Sequence, residues 1–405
     1  MRLGPTTSQR DIFVSHQPAP RTLFRRISMT PRERYREALL FGTPDKYPLS
    51  PGGPREKTRA RWYQEGLPRD ADYMSELYRI LDIEPEIPEK PAPGLNVDFR
   101  MIPQFEEKVL EHRNGHYIVQ DWMGAITEIS DEYDYTYIRA ARDFVTRKWH
   151  RFPVQSRKDF EEKIRWRYDV DAPGRFPDDF DERCEKSRDR DNVLHVHFNG
   201  PFWQLREWCG FEGLCTLMID DPEFVDDMAR FWTEFVSATL DRIISRVELD
   251  SVGLSEDMAY KSFSMISPSM VRRFLKPAYD IWVPAIKASG CPIIDMDSDG
   301  FIGELIPIWI EAGINVCDPI EVAAGNDIVE FRKRFGTRIA YKGGIDKRAI
   351  AAGGDVMRAE LQRVVPPILK DGGFIPSCDH GVPHDISWPN FIEYTRLLAQ
   401  MTGWL

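Results

Sequence analysis

The chain is 405 residues long, 42% hydrophobic, 12% aromatic and 29% charged, the profile of a globular protein that buries most of its unfolded surface. That excludes a disordered, collagenous or coiled-coil chain, and a formal charge of -11 (Lys+Arg 54, Asp+Glu 65) opposes nucleic acid and anionic membrane as partners. Six cysteines without a CxxC pair point to reduced thiols in a cytoplasmic protein rather than a disulfide scaffold or zinc ribbon. The apolar stretch Glu304 to Val316 is broken by Pro307, Glu311 and Gly313 and is too short to span a membrane.

Residues 1–28 carry Arg2, Arg10, Arg21, Arg25 and Arg26 with Asp11 as their acid and show no periodicity, so they read as a disordered extension. The folded unit is expected to run from 29 to 405 as a single domain. Thr30, Pro31 and Glu33 form a helix-start signal ahead of Tyr35, Leu39 and Leu40. Lys46 to Ser50 reads as the first strand of the main sheet, and Glu84 to Pro93 as a Pro-rich connector. A β-meander is expected around Gly115 to Trp149, on the β-type composition of Tyr117–Trp122 and Phe144–Trp149. Arg165 to Arg190 is so charged that it reads as mostly solvated surface.

Beyond residue 192 the pattern becomes regular. Short apolar runs at Val193–Asn199, Ser251–Asp257, Pro292–Gly300, Ile314–Glu321, Arg338–Asp346 and Gly373–His380 alternate with helical periodicity, as in Pro222–Val247 and Pro268–Ser289. Apolar strands joined by helices imply an α/β fold with a parallel sheet covered on both faces. The repeat suits a (β/α)8 TIM barrel with an N-terminal elaboration and a β-meander insertion. No glycine-rich phosphate turn supports a doubly wound alternative.

In a barrel, the residues that end the strands gather at one mouth. Here they are Asn199, Glu256, Asp257, Asp297, Asp299, Asp318, Glu321, Asp346, Lys347, Cys378, Asp379 and His380. Any single acid here could be a helix cap, but ionisable groups at six strand ends exceed what capping needs. Asp297 and Asp299 alternate along a strand end and face the same way, and with His380 they make a ligand-capable trio for a divalent metal such as zinc; Cys378 is a further possible ligand. A carboxyl crowded by other acids keeps its proton towards neutrality, which makes Glu256 or Asp257 the expected general acid.

At these residues the chain resembles the uroporphyrinogen decarboxylase superfamily, over Met29 to Leu405. The carriers are Met29-Thr-Pro-Arg-Glu-Arg-Tyr-Arg-Glu-Ala-Leu, Gly200-Pro-Phe, Glu256-Asp-Met-Ala-Tyr-Lys-Ser, Ile266-Ser-Pro, Asp297-Ser-Asp-Gly, Gly343-Gly-Ile-Asp-Lys and Asp379-His-Gly-Val-Pro. In style the chain is nearest the cobamide-dependent methyltransferase branch. That branch's zinc motif His-x-Cys-Gly falls on Asp297-Ser298-Asp299-Gly300 here, and its last Cys falls on His380. In place of the decarboxylase branch's Arg-Gln-Ala-Gly-Arg stretch stand Arg55, Arg59 and Arg61.

The resemblance implies a methyltransferase-like enzyme that moves a methyl group between a small methylated donor and a corrinoid carried on a separate protein. A tetrapyrrole decarboxylase is the alternative enzyme, and a ligand-binding barrel without chemistry the non-enzymatic one. The expected catalytic residues are Glu256, Asp257, Asp346 and Lys347, with Asn199, Trp203, Arg206, Tyr260 and Glu321 contacting substrate. The expected partners are a small molecule and a corrinoid protein, with a homodimer as one possible assembly.

Overall fold

The first helix, Pro31–Leu39, starts where its capping signal stands: Thr30 Oγ1 accepts from the Glu33 N–H at 3.2 Å, and the Glu33 carboxylate accepts from the Thr30 N–H at 2.8 Å. The computed structural model describes Met1, residues 28–136 and residues 146–405. The expected extension at 1–28 therefore lies almost wholly outside the described residues, as does Phe144 of the meander. No helix among the described residues is long and apolar enough to cross a membrane.

The meander is a four-stranded antiparallel sheet of β1 (Lys108–Arg113), β2 (His116–Gln120), β3 (Ile126–Ser130) and β4 (Arg147–Arg151), paired in chain order. Its first turn, Asn114-Gly115, takes positive φ at both residues, the backbone that a tight hairpin demands.

The second sheet is parallel and also ordered as the chain runs: β5 (His195–Asn199), β6 (Ser251–Ser255), β7 (Ile293–Asp297), β8 (Val316–Asp318), β9 (Ala340–Ile345) and β10 (Phe374–Cys378). All six sit inside the apolar runs of the sequence. Helices including Pro222–Ile244, Lys276–Ala288, Ile328–Phe335 and Gly354–Leu369 join them. The α/β class and the parallel sheet are as expected. No strand pairing closes β5 onto β10 among the described residues, so the ladder has six strands where a closed barrel would have eight.

Lys46 to Ser50 forms no strand. Pro48 has no N–H to give a ladder, and the Tyr47 N–H donates to the Thr402 carbonyl at 2.9 Å instead. The following residues run beside the end of β10: the Cys378 N–H donates to Pro51 O at 3.3 Å, and the Val382 N–H to Gly53 O at 2.9 Å.

The segment Arg165 to Arg190 also departs from its expected solvation. Arg175 is fully buried because backbone carbonyls of Asp98, Arg100, Arg167 and Asp169 accept its guanidinium protons. Arg190 is buried against Asp250, donating to Oδ2 through Nη2 at 2.7 Å and Nε at 3.0 Å. Charge count alone misses this, since a guanidinium whose every nitrogen donates a hydrogen bond can be interior.

One face of the parallel sheet is layered. Ile293, Val316, Ala340 and Ile375 pack on Ala38 and Leu39 of the first helix, which plugs the N-terminal end. Two residues further along β7, β8 and β9 the positions on that face turn polar, at Asp295, Asp318 and Lys342, and Asp297 follows two beyond Asp295.

Asp250 ties this plugged end together, since it also accepts from Arg32 Nε at 2.7 Å and from the Leu194 N–H at 2.9 Å. Burial raises its carboxyl, but the Leu194 N–H, Arg32 and Arg190 outweigh that and hold it below the usual range. Arg190→Met is expected to cost about 3–5 kcal/mol in urea unfolding, the usual cost of stripping a partner from a buried charge. The deficit should shrink as pH falls through the Asp250 titration; a loss under about 1 kcal/mol at neutral pH would contradict this role.

Candidate functional site

A cavity of about 800 Å³ opens at the C-terminal ends of the parallel strands, lined by Gly52, Gly53, Pro54, Arg55, Arg147, Trp203, Asp257, Asp297, Asp299, Asp318, Ser377, Cys378 and His380 among others. The ends of β7 and β8 supply Asp297 and Asp318, the loops after β6, β7 and β10 supply Asp257, Asp299 and His380, the 51–55 segment supplies Arg55, and β4 of the meander supplies Arg147.

Asp297 ends β7 and hydrogen-bonds the end of β6, its Oδ2 accepting from Ser255 Oγ at 2.7 Å. Burial, and then the neighbouring acids Asp318, Asp299 and Asp295, push its carboxyl up to about 7 against the lowering effect of Ser255. Lys342 reaches up from β9 as the counter-ion, paired with Asp295 and with Asp318 Oδ2 at 2.9 Å. One ammonium among three carboxyls leaves a proton on the acid side, and Asp318 is likewise raised by burial.

The expected general acids part company. Asp257 lines the cavity, its backbone at φ 41°, a left-handed conformation that side chains rarely adopt. Burial raises its carboxyl, opposed by Arg206, whose Nη2 lies 3.2 Å from Oδ2 and whose Nη1 donates to the Asp257 carbonyl at 2.8 Å. Glu256 turns the other way and is absent from the cavity wall. It is fully buried, accepts from the Trp203 N–H at 3.1 Å and from Tyr279 Oη, and is pushed up to about 7 by burial. It serves the N-terminus of helix Pro201–Cys209, which has no side-chain cap of its own. Gly200 is required there, because a Cβ would sit 2.2 Å from the Glu256 carboxyl carbon.

The other expected residues are scattered around this centre. Asp346 caps helix Lys347–Ala352 and pairs with Arg348, while Lys347 holds Glu321 at 2.9 Å. Glu321 and Tyr260 line a neighbouring cavity of about 350 Å³ that shares Asp257 and Asp299 with the main one. Asn199 faces a third cavity, of about 600 Å³, and Trp203 lines both that cavity and the central one.

The metal-ligand set does not fit. His380 Nδ1 receives the Gly381 N–H at 2.6 Å and Arg55 Nη2 at 2.8 Å, so the ring proton sits on Nε2, directed at Asp299 Oδ2 at 2.8 Å. Both nitrogens are thereby engaged, and the Nε2 that would face a cation shared with Asp299 carries a proton instead. Asp297 is held by Ser255, and burial pushes the Cys378 thiol up to about 12, away from the thiolate that binds metal. Among the described residues no three His, Cys, Asp or Glu side chains converge as a metal site.

Sequence reasoning passed over Arg147, Lys342, His197 and Ser255. For the strand residues a signal was present: the runs read as apolar carry polar residues at alternate positions, His195-x-His197, Ser251-x-x-x-Ser255 and Asp295-x-Asp297, on one face of the sheet. Arg147 gave none, since nothing in the sequence says where a meander lies.

Because the fold raises the Asp297 carboxyl, its contribution to stability is present below the unfolded carboxylate range and is lost as pH rises through about 7. Asp297→Asn, which cannot ionise, is therefore expected to unfold later than wild type at pH 8–9 and to lose that advantage near pH 4. Thermal unfolding across pH checks this; a variant less stable than wild type at pH 9 would contradict it.

A family model described as uroporphyrinogen decarboxylase (URO-D) matches residues 189–397, more than half of the chain. The uroporphyrinogen decarboxylase of Alcanivorax borkumensis is 22% identical over 222 residues, which cover 51% of this chain and 59% of that protein. Among solved structures, a methyltransferase from Methanosarcina mazei superposes with a TM-score of 0.53 at 14% identity, covering 92% of this chain and 98% of that one, a likeness of fold. The family match spans β5 to β10 and the acids and His380 that they bring to the cavity, and the chain belongs to the uroporphyrinogen decarboxylase family.

Proposed function

We propose that residues 29–405 form one catalytic unit that removes a methyl group from a small anionic methylated donor, with Asp297 as general acid. The methyl acceptor in this reading is a corrinoid on a separate protein, a co-substrate that meets the mouth from solvent. The observation that carries the reading is a buried carboxyl, pushed up to about 7 by burial and three neighbouring acids, in a cavity that also presents two guanidinium groups, Arg55 and Arg147.

The donor's oxygen–methyl bond breaks as the acceptor's electron pair takes the methyl group. The Asp297 proton passes to the departing oxygen, leaving a neutral hydroxyl product and an Asp297 carboxylate. Arg147 offers its charge to the donor's anionic group: among the described residues Nη1 makes no hydrogen bond and stands 4.0 Å from Asp121 Oδ2, and burial lowers the guanidinium from its ordinary value against the raising effect of Asp121. Arg55, fixed by His380 and Asp299, faces it from the 51–55 segment, and Trp203 offers an aromatic wall. No step calls for a metal.

Decarboxylation is the second reading, favoured by the 22% identity to a uroporphyrinogen decarboxylase. The same carboxyl would then protonate the carbon that loses carbon dioxide. A porphyrinogen with many carboxylates fits poorly, because among the described residues Asp257, Asp299 and Asp318 share the wall with just Arg55 and Arg147 as guanidinium groups. Like charges at about 4 Å repel by around 4 kcal/mol at an effective dielectric near 20.

The test is methyl transfer from methoxylated carboxylates to cobalamin, beside carbon dioxide release from uroporphyrinogen. Transfer is expected to fall as pH rises through about 7, where Asp297 loses its proton. Asp297→Asn should lower kcat by about 10²–10⁴-fold. Arg147→Ala should lower kcat/KM roughly 10- to 100-fold, as the loss of a charged hydrogen bond of about 1.5–3 kcal/mol would. Carbon dioxide release without methyl transfer would overturn the reading.

A further inference from the structure

The inward face of β5 carries a group for which the proposed chemistry has so far given no use. His197 Nε2 lies 2.7 Å from Ser255 Oγ, and the same Oγ lies 2.7 Å from Asp297 Oδ2. The three side chains stand on adjacent strands, in line across the register His197↔Gly253 and Ser255↔Asp297. Gly253 makes room for the ring, since a Cβ there would come within 2.5 Å of His197 Nδ1.

The two ends of this line face different spaces. Asp297 lines the central cavity, whereas His197 lines the third cavity, with Asn96, Asp98, Arg100, Asn199 and Glu207. A proton spent by Asp297 on a substrate that fills the mouth has no open path back through that mouth.

We propose that His197 and Ser255 form a relay that returns a proton from water in the third cavity to Asp297. The proposal rests on the general-acid reading of Asp297 and adds the route by which that acid is reset. In each passage His197 Nδ1 takes a proton from water, Nε2–H passes its proton to Ser255 Oγ, and the Ser255 hydroxyl proton moves to Asp297 Oδ2. The hydroxyl makes the line reversible. With Asp297 protonated, its O–H donates to Ser255 and Ser255 donates to His197 Nε2, so His197 carries its proton on Nδ1. With Asp297 ionised, every donor points the other way and the His197 proton sits on Nε2.

The surroundings favour a ring that changes tautomer and not charge. Burial lowers the His197 pKa, and Lys342 from β9 lowers it further against Asp318 from β8. His195 stands beside it on β5, brought down to about 4 by burial. Asp295 and Asp299 face the Asp297 end, and Asp98, Arg100 and Glu207 border the third cavity at the other. Burial pushes Glu207 up to about 7 as well, so an ionisation read at His197 is assigned to Asp297 by its loss in Asp297→Asn and Ser255→Ala.

Nitrogen-15 spectra of histidine-labelled full-length protein test this without substrate, with His197 assigned by His197→Gln. The wild-type His197 signals are expected to pass from the Nδ1–H to the Nε2–H tautomer as pH rises through the Asp297 titration. Ser255→Ala and Asp297→Asn should each hold one tautomer throughout, and Ser255→Thr, which keeps the hydroxyl, should restore the change. A wild-type His197 with one tautomer from pH 5 to 9, or a change that survives in Ser255→Ala, overturns the relay. Failure of methyl transfer with the tautomer change intact would remove the reaction and leave the relay standing.

Discussion

Three carboxyl groups on neighbouring strands share one ammonium inside the parallel sheet, and the arrangement of the site follows from that shortage of positive charge. Asp295, Asp297 and Asp318 point inward from β7 and β8, where water is scarce, and Lys342 reaches Asp295 and Asp318 directly. Among the described residues Asp297 has no cation of its own, and burial with the neighbouring acids outweighs its Ser255 hydrogen bond and keeps on it a proton that an exposed aspartate would give up. A proton held at neutral pH beside guanidinium groups is the feature that makes this cavity chemically useful.

The apolar layer beneath it is what allows the acids to be there. Ala38 and Leu39 of the first helix close the N-terminal end against Ile293, Val316, Ala340 and Ile375, so the strand interiors are dry below the polar layer and open above it. The Arg32–Asp250–Arg190 set fastens that helix to the feet of β5 and β6. The meander contributes at the opposite end, where β4 carries Arg147 to the mouth. Plug, polar layer and lid are thus stacked along the strand direction.

Much of the fold could be read from the sequence. Each parallel strand lies within an apolar run because its flanks are helices, and the first helix begins at Thr30 because its cap is local chemistry. Lys46–Ser50 has the composition of a strand but no neighbour with which to form a ladder, and that is a tertiary fact. Arg175 is interior although it sits in the most charged part of the chain, because four carbonyls gather around it from separate turns. At the site, acids at the strand ends were visible, but the direction each one faces was not. Glu256 and Asp257 are neighbours in sequence, yet a left-handed backbone at Asp257 sends one beneath a helix and the other into the cavity. Asp299 and His380 do meet, as a hydrogen-bonded pair that steadies Arg55 and not as metal ligands.

The central claim is that Asp297 holds a proton near neutrality. Carbon-13 spectra of aspartate-labelled protein, with the Asp297 carboxyl signal identified by its loss in Asp297→Asn, measure this directly. The account predicts a titration midpoint at about 7. A midpoint in the ordinary aspartate range, near pH 4, would contradict it.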